Sequence, residues 1–345
     1  MAVCVIIAAW NAERTIGRAI RSALSQPEVG EVIVVDDASS DATTAVAQAA
    51  DDGSGRLTVL RQECNRGPSA ARNLALEHSR ADHVAVLDAD DYLLPGRFAA
   101  LLAIPGWDAI ADNIAFVPEE RDAEERDAQD RDAEARDGRG EPLRIEAGDY
   151  PPRVLTLAAL LAGSISRREA PRGELGFLKP VVRRAFLDAH RLRYDEALRL
   201  GEDFVLYAGM LAAGARFLTV ARCGYVAVER AGSLSGSHST ADLAALLGAV
   251  DGWAAIGWAT GASLGAPDRA GLARYRAQLS ANYRHRRLLD DKRSLGLRRA
   301  LGRLLDDPAT APRVALRVLR DKLAAPAPAP AAPATAPAVR YLLPR

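Results

Sequence analysis

An apolar run followed by a helix-spaced segment recurs four times in the first ninety or so residues, and this recurrence constrains the fold more than any other feature. "VCVIIAAW", Val3 to Trp10, is apolar throughout, as strands buried on both faces of a parallel sheet are. Ile16, Ala19, Ile20, Ala23 and Leu24 follow at helical spacing within 12–25. "EVIVVDD", 31–37, reads as a second strand, and "SSDATTAVAQAA" opens a helix with Ser and Asp as N-caps. "RLTVLRQ" is a third strand, "GPSAARNLALEHS" a loop and helix, and "HVAVLDADD" a fourth strand. The pattern predicts an α/β chain with a Rossmann-like, mostly parallel sheet flanked by helices, an architecture that binds nucleotides.

The chain has 345 residues, 49% of them hydrophobic, enough for one large domain or two modest ones. Lys and Arg balance Asp and Glu at 45 each, so bulk charge selects no partner. Cys4, Cys64 and Cys223 lie far apart with no CxxC pair, which argues against a disulfide framework or a zinc site and suits a reducing, cytoplasmic setting. No signal-like leader and no uncharged apolar run of about 18 residues is expected to direct the chain out of the cytoplasm or across a membrane.

Regularity breaks after the fourth unit. From residue 121 the chain reads "RDAEERDAQDRDAEARD", a five-residue period that fits neither heptads nor solenoid repeats. With almost no large apolar residue it cannot bury a core face, and it reads as a solvated insertion over 119–140. Globular composition returns from 141. Residues 241–322 read as a helical extension, basic from 269, where 15 Lys and Arg face 5 Asp and Glu. An Ala/Pro-rich stretch follows at 323–345 and reads as a flexible tail.

The usual phosphate cradles are missing. After the first strand the chain reads "AAWNAERTIG" rather than GxGxxG, and no GxxxxGK[ST] occurs. Acidic strand ends offer an alternative, because ligands of open α/β sheets sit beyond the carboxyl ends of the strands. Asp36 and Asp37 end the second strand, and Asp88 and Asp90 the fourth. In extended chain, residues two apart point the same way, so Asp88 and Asp90 are expected to converge. Such a pair suits Mn²⁺ or Mg²⁺, which take oxygen ligands and bridge to phosphates. Asp91 reads instead as a cap or turn residue.

"VIIAAWNAERTIGRAIRSALSQ", "EVIVVDDASSD", "NRGPSAARNLAL" and "VLDADDYLLP" together resemble the family 2 inverting glycosyltransferases of GT-A fold. "GELGFLKPVVRR", "YDEALRLGEDFVLY" and "RAGSLSGSHS" extend the resemblance to bacterial succinoglycan and exopolysaccharide-type glucosyltransferases, so that family patterns cover roughly 1–240. The resemblance implies a nucleotide-binding half over 1–115 and an acceptor-binding half over 141–240. It implies that Ala8 contacts the base through its backbone, that Trp10, where the family usually has Tyr, flanks the uracil, and that Asp37 accepts the uracil N–H with support from Asp36. Arg72 is then expected near base and phosphates, Asp88 on the ribose and Asp90 on the metal. A core aromatic is the alternative for Trp10.

"LGEDF" is the second constellation. Inverting transfer needs a base for the acceptor hydroxyl, and a bound metal relieves the departing diphosphate of any need for an acid. The resemblance makes Asp203 that base and Glu202 its support or an acceptor-orienting group; an acid favoured by a helix N-terminus is the competing reading. It also brings His238 to the metal or diphosphate, Arg230 to the diphosphate and Lys179 to donor or acceptor, with a surface salt bridge as the alternative for Lys179.

The activity so implied is transfer of a sugar, glucose first, from a UDP-sugar to a glycan acceptor, often lipid-linked, in exopolysaccharide synthesis. UDP-galactose or GDP-mannose as donor, or a module that binds nucleotide-sugar without turnover, are the rivals. The basic 269–322 stretch is either a solvated helical face or a peripheral contact to anionic lipid at the inner face of the cytoplasmic membrane. No nucleic-acid motif appears, and nucleic acid is not an expected partner.

Overall fold

The computed structural model describes residues 2–118, 143–145, 148, 150–165, 173–229, 239–256, 264–296, 298–300, 302 and 339–344. The four sequence units fold as read, except that the fourth strand ends before its acidic residues. Strands β1 (Val3–Ala9), β2 (Val29–Asp36), β3 (Leu57–Arg61) and β4 (His83–Val86) are parallel, in the order β3-β2-β1-β4. β1 is central here, and its uninterrupted apolar run is buried between both neighbours. Helix α1 (Ile16–Leu24) buries Ile16, Ala19, Ile20, Ala23 and Leu24, the stripe that the spacing predicts. α2 (Thr43–Ala49) and α3 (Pro68–His78) complete this half.

Beyond β4 the sheet becomes mixed. A short β5 (Tyr92–Leu93) and α4 (Arg97–Leu102) lead to the long β6 (Ala109–Pro118). β7 (Arg153–Leu155), α5 (Leu157–Gly163), a 3₁₀ turn over Leu175–Phe177, β8 (Val181–Arg183) and α6 (Arg184–Ala189) follow. Then come α7 (Glu202–Ala212) and β9 (Phe217–Glu229). β8 joins the halves, running antiparallel to both β4 and β6, while β6 and β9 pair in parallel. The halves therefore share one ten-stranded sheet.

The helical extension is present as α8 (Thr240–Ile256) and α9 (Ala266–Leu295). α9 packs inward: Leu272, Tyr275 and Leu279 are buried, Tyr275 stacks on Phe204 with ring centroids 4.5 Å apart, and Asp268 accepts the Ala158 N–H at 3.0 Å. It thus buttresses α7, which carries the second acidic constellation. Among the described residues, no helix is long and apolar enough to cross a membrane.

The chain end departs from its reading as a wholly flexible tail. β10 (Arg340–Tyr341) adds to β6 antiparallel, and Leu342 is buried. The apolar "YLL" after the Pro-rich stretch supplies the burial that the preceding residues cannot. The repeat insertion lies outside the described residues.

Candidate active site

β1, β2 and β4 are neighbours, so the loops that leave them share one edge of the sheet. The loop after β1 and the loop after β2 are stitched together. Asn11 donates its N–H to Ser39 Oγ at 2.9 Å and accepts the Ser40 N–H at Oδ1, also at 2.9 Å. Asn11 and Ala38 hold left-handed backbone at φ 50° and 59°, strain that such tight loops carry near functional sites. Trp10 is 50% exposed, which removes the core-aromatic reading and leaves a face open beside this loop. Ala8 is half-buried at the end of β1.

The two acids after β2 are both engaged. Asp36, fully buried, accepts the Ser39 N–H at 2.9 Å, the Thr44 hydroxyl, and Arg61 Nη1 at 3.2 Å. Asp37 accepts the Arg66 N–H at 2.7 Å and the Gly67 N–H at 2.8 Å. Gly67 has φ 92°, which only glycine adopts easily, and it starts α3 so that Arg72 points at the site. Each Asp37 oxygen keeps a lone pair beyond these bonds, but its present work is to fix the 66–67 loop.

The DADD segment differs from its reading as extended chain. β4 stops at Val86, and Asp88 to Asp91 form a turn closed by the Asp91 N–H on the Asp88 carbonyl at 3.1 Å. Two-residue alternation does not apply there, so the alternation argument for the convergence of Asp88 and Asp90 fails. Asp91 is buried and accepts the Tyr225 hydroxyl at 2.7 Å and the Val228 N–H at 2.9 Å. Burial, then the negative charges of Asp90 and Asp88, push its carboxyl well above the usual range. Asp91 thus serves local structure, as the capping reading holds. Asp90 is half-buried on the turn, and its carbonyl accepts Arg18 Nη2 at 3.0 Å.

The centre of the site is an ionic cluster that spans both halves of the chain. Arg72 on α3, 4% exposed, donates through Nη2 to Asp88 Oδ1 at 3.0 Å. Its Nη1 donates to Glu202 Oε1 at 2.8 Å and Asp203 Oδ1 at 3.2 Å. Lys179 Nζ lies 2.8 Å from Asp88 Oδ2 and 2.9 Å from Asp203 Oδ2. Lys179 is 6% exposed, so its ion pairs are buried ones and not a surface bridge. Burial opposes the charge of each cation, but the carboxylates outweigh it and raise both above their ordinary values: Asp203 and Glu202 foremost for Arg72, Asp203 and Asp88 for Lys179. Burial likewise opposes the Asp88 carboxylate, yet Lys179 and Arg72 hold it down at about 2.

The second constellation starts a helix, as its sequence suggests. Glu202 and Asp203 occupy the first turn of α7, where the dipole favours anions. Gly201 precedes them at φ 74° and turns the chain into the helix. Both Asp203 oxygens are bonded to cations, so it is more than a helix-start acid.

Five positioning residues escaped the sequence reading. Tyr207 donates to the Leu178 carbonyl at 2.8 Å, and Arg97 donates to the Lys179 carbonyl. Arg97 is itself gripped by Asp112, with Nη2 on Oδ1 at 2.8 Å. Lys179 is thereby fixed through its backbone from two sides. The Tyr194 ring lies 5.3 Å from the Arg72 guanidinium, and Tyr225 donates to Asp91 while accepting the Asp88 N–H at 3.1 Å. The available signal was weak: aromatic residues at core spacing in "FVLY" and "GYVAV".

Arg230 and His238 lie outside the described residues. Among the described residues, no group of three or more His, Cys, Asp and Glu side chains gathers as a preformed metal cage. The turn bearing Asp90 nonetheless fits a hard cation of the Mg²⁺ or Mn²⁺ kind, which one or two carboxylates hold together with substrate phosphates.

The glycosyl transferase family 2 model matches residues 4–155. The succinoglycan biosynthesis protein ExoU of Rhizobium meliloti (strain 1021) is 47% identical over 345 residues, covering 99% of this chain and 95% of its own. The Escherichia coli UDP-Glc:alpha-D-GlcNAc-diphosphoundecaprenol beta-1,3-glucosyltransferase WfaP is 37% identical over 91 residues, 26% of this chain and 36% of its own. Among solved structures, S. aureus TarS 1–349 in complex with UDP-GlcNAc superposes with a TM-score of 0.54 at 19% identity, covering 86% of this chain and 88% of that one. A parallel first half, a mixed second half on the same sheet, and a relative matching nearly end to end place the protein in glycosyl transferase family 2, as an inverting glycosyltransferase of GT-A fold.

Proposed function

We propose that the protein transfers a hexose, glucose first, from a UDP-sugar to a lipid-linked glycan acceptor in exopolysaccharide synthesis, with Asp203 as the base. The reading is carried by one observation: Arg72 and Lys179 tie Asp203 to Asp88, so the acid at the start of α7 and the acid after β4 belong to one site. The role of ExoU in succinoglycan biosynthesis supports the pathway, and the diphosphoundecaprenol-linked acceptor of WfaP supports the lipid carrier.

In this reading Trp10 flanks the uracil, with Ala8, Asp37 and Asp36 framing the base pocket, and Asp88 receives the ribose. Asp90, with His238 from outside the described residues, would hold Mn²⁺ or Mg²⁺. When bound, the cation neutralises charge on the diphosphate that leaves. Asp203 accepts the acceptor hydroxyl proton as that oxygen bonds to the anomeric carbon, and the bond from that carbon to the diphosphate oxygen breaks, its electron pair leaving with UDP. Glu202 orients the acceptor, and Arg72 and Lys179 meet the diphosphate charge, a role to which the sequence also assigns Arg230. One in-line displacement inverts the anomeric centre. Exposed Arg274, Arg286 and Lys292 on α9 suit contact with anionic lipid.

The test is transfer from UDP-glucose to lipid-linked glycans extracted from membranes, with the product linkage read by NMR. An inverted linkage from the natural enzyme, and its loss in Asp203→Asn, are expected. A retained configuration rejects the mechanism, and full transfer by Asp203→Asn rejects the base.

A further inference from the structure

The base assigned above is not free to accept a proton. Asp203 Oδ1 receives Arg72 Nη1 at 3.2 Å, and Oδ2 receives Lys179 Nζ at 2.9 Å. Each cation also holds Asp88, and Arg72 holds Glu202 as well. Tyr194 hydrogen-bonds to the same carboxylate, whose charge also reaches Tyr207. Three carboxylates thus compete for Arg72, and two of them for Lys179 as well. A nucleotide diphosphate is a further anion of higher charge, and guanidinium and ammonium groups bind phosphate oxygens at least as readily as carboxylates.

The geometry points to an ionic lock in which Arg72 and Lys179 hold Asp203 until a nucleoside diphosphate competes for them. It rests on the reading of Asp203 as the base and adds a coupling which that reading lacks. With the donor site empty, the base is clamped and a stray hydroxyl finds no acceptor for its proton. When the diphosphate takes the two cations, the Asp203 oxygens lose their cationic partners and turn to the acceptor hydroxyl. Coupling of this kind is reciprocal. The factor by which the Asp203 charge weakens diphosphate binding equals the factor by which the diphosphate raises the proton affinity of Asp203. A tenfold factor is one pKa unit. Donor binding would thus arm the base, and it would do so only when there is a donor to attack. Arg72 and Lys179 act on the base as positioning residues, through the competition.

Calorimetric titration of UDP in the presence of Mn²⁺, with uridine as the diphosphate-free control, tests the lock. Asp203→Asn removes the competing charge, so it should bind UDP several-fold more tightly than the natural protein and uridine equally. Lys179→Met should weaken UDP, and the gain from Asp203→Asn should shrink in that background. Glu202→Gln, which releases one Arg72 bond and keeps Asp203, is a second variant expected to tighten UDP should the first not fold. UDP affinity that does not rise in either folded variant overturns the lock. The two readings fail separately: unchanged UDP affinity with lost transfer in Asp203→Asn overturns the lock and keeps the base. Tighter UDP with retained transfer keeps the competition and overturns the base.

Discussion

The Tyr225 hydroxyl donates to Asp91 Oδ2 across 2.7 Å, bridging β9 to the turn that follows β4. The same oxygen accepts the Asp88 N–H at 3.1 Å, so one phenol fixes the first and last residues of the turn. Tyr225→Phe removes this oxygen and leaves a buried carboxyl and a backbone N–H each short of one partner. Loss of such buried partners costs about 1–3 kcal/mol. Urea unfolding should show that loss with an unchanged slope, and transfer should fall because Asp88 is no longer fixed.

What sequence could and could not reveal divides along the range of the interactions. β1 to β4 and α1 were legible because their apolar periods are local and match what the sheet buries. Asp203 at a helix start was legible from "GED" before an apolar run. The lock was not: Arg72 is 131 positions from Asp203, and no local pattern encodes a pairing that tertiary packing creates. The DADD turn was misread as strand because β4 ends at Val86, five residues before the end of the segment read as extended, and the Asp91 N–H bonds the Asp88 carbonyl instead. The C-terminal strand was hidden by the Pro-rich composition before it.

Gly201 lies at φ 74°, and an added Cβ would lie 3.0 Å from Leu246 Cδ2. Gly201→Ala must therefore hold left-handed backbone, at about 1–2 kcal/mol, and push Leu246 aside. Because Glu202 and Asp203 follow directly, the variant should lose both thermal stability and transfer. Near-native transfer would show that the start of α7 tolerates displacement.

Asp88 carries a pH signature. Its carboxyl sits at about 2 in the fold, below an ordinary value of about 3.9, so the fold favours its ionised form. The stability it contributes is complete above about pH 4 and is lost as pH falls from there towards about 2. Since 34% of the side chain is exposed, solvent screening reduces the contribution to about 1 kcal/mol. Denaturation curves collected from pH 5 to 2 should be steeper in pH for the natural protein than for Asp88→Asn.

Contact with lipid through α9 is tested by charge and not by deletion, because Leu272, Tyr275 and Leu279 of that helix are buried. Arg286→Glu with Lys292→Glu changes two exposed positions and leaves the packing intact. Each cation near an anionic surface contributes about 1 kcal/mol, so the double variant should release most of the protein from phosphatidylserine vesicles at moderate salt. Equal binding by both proteins would assign the basic face to solvent.

Residues 339–344 are expected to be structural. Arg340 and Tyr341 pair with Phe116 and Ala115 of β6, and Arg340 Nη2 reaches Glu229 at 2.7 Å. Asn113 donates Nδ2 to the Leu343 carbonyl at 2.9 Å and accepts the Leu343 N–H at 2.7 Å, while Leu342 is buried. Deleting the segment re-exposes an edge of β6 and leaves Asn113 with unmade bonds. Burial of one leucine contributes about 1.5–3 kcal/mol, and each lost hydrogen bond about 1 kcal/mol more. The truncated protein should melt several degrees lower. It should also self-associate on size exclusion, because an unpaired edge strand is a template for another chain. Adding the synthetic peptide AVRYLLPR should restore both properties, since the vacated edge offers it the same ladder; failure of the peptide to bind would mean that the tether, and not the strand, supplies the stability.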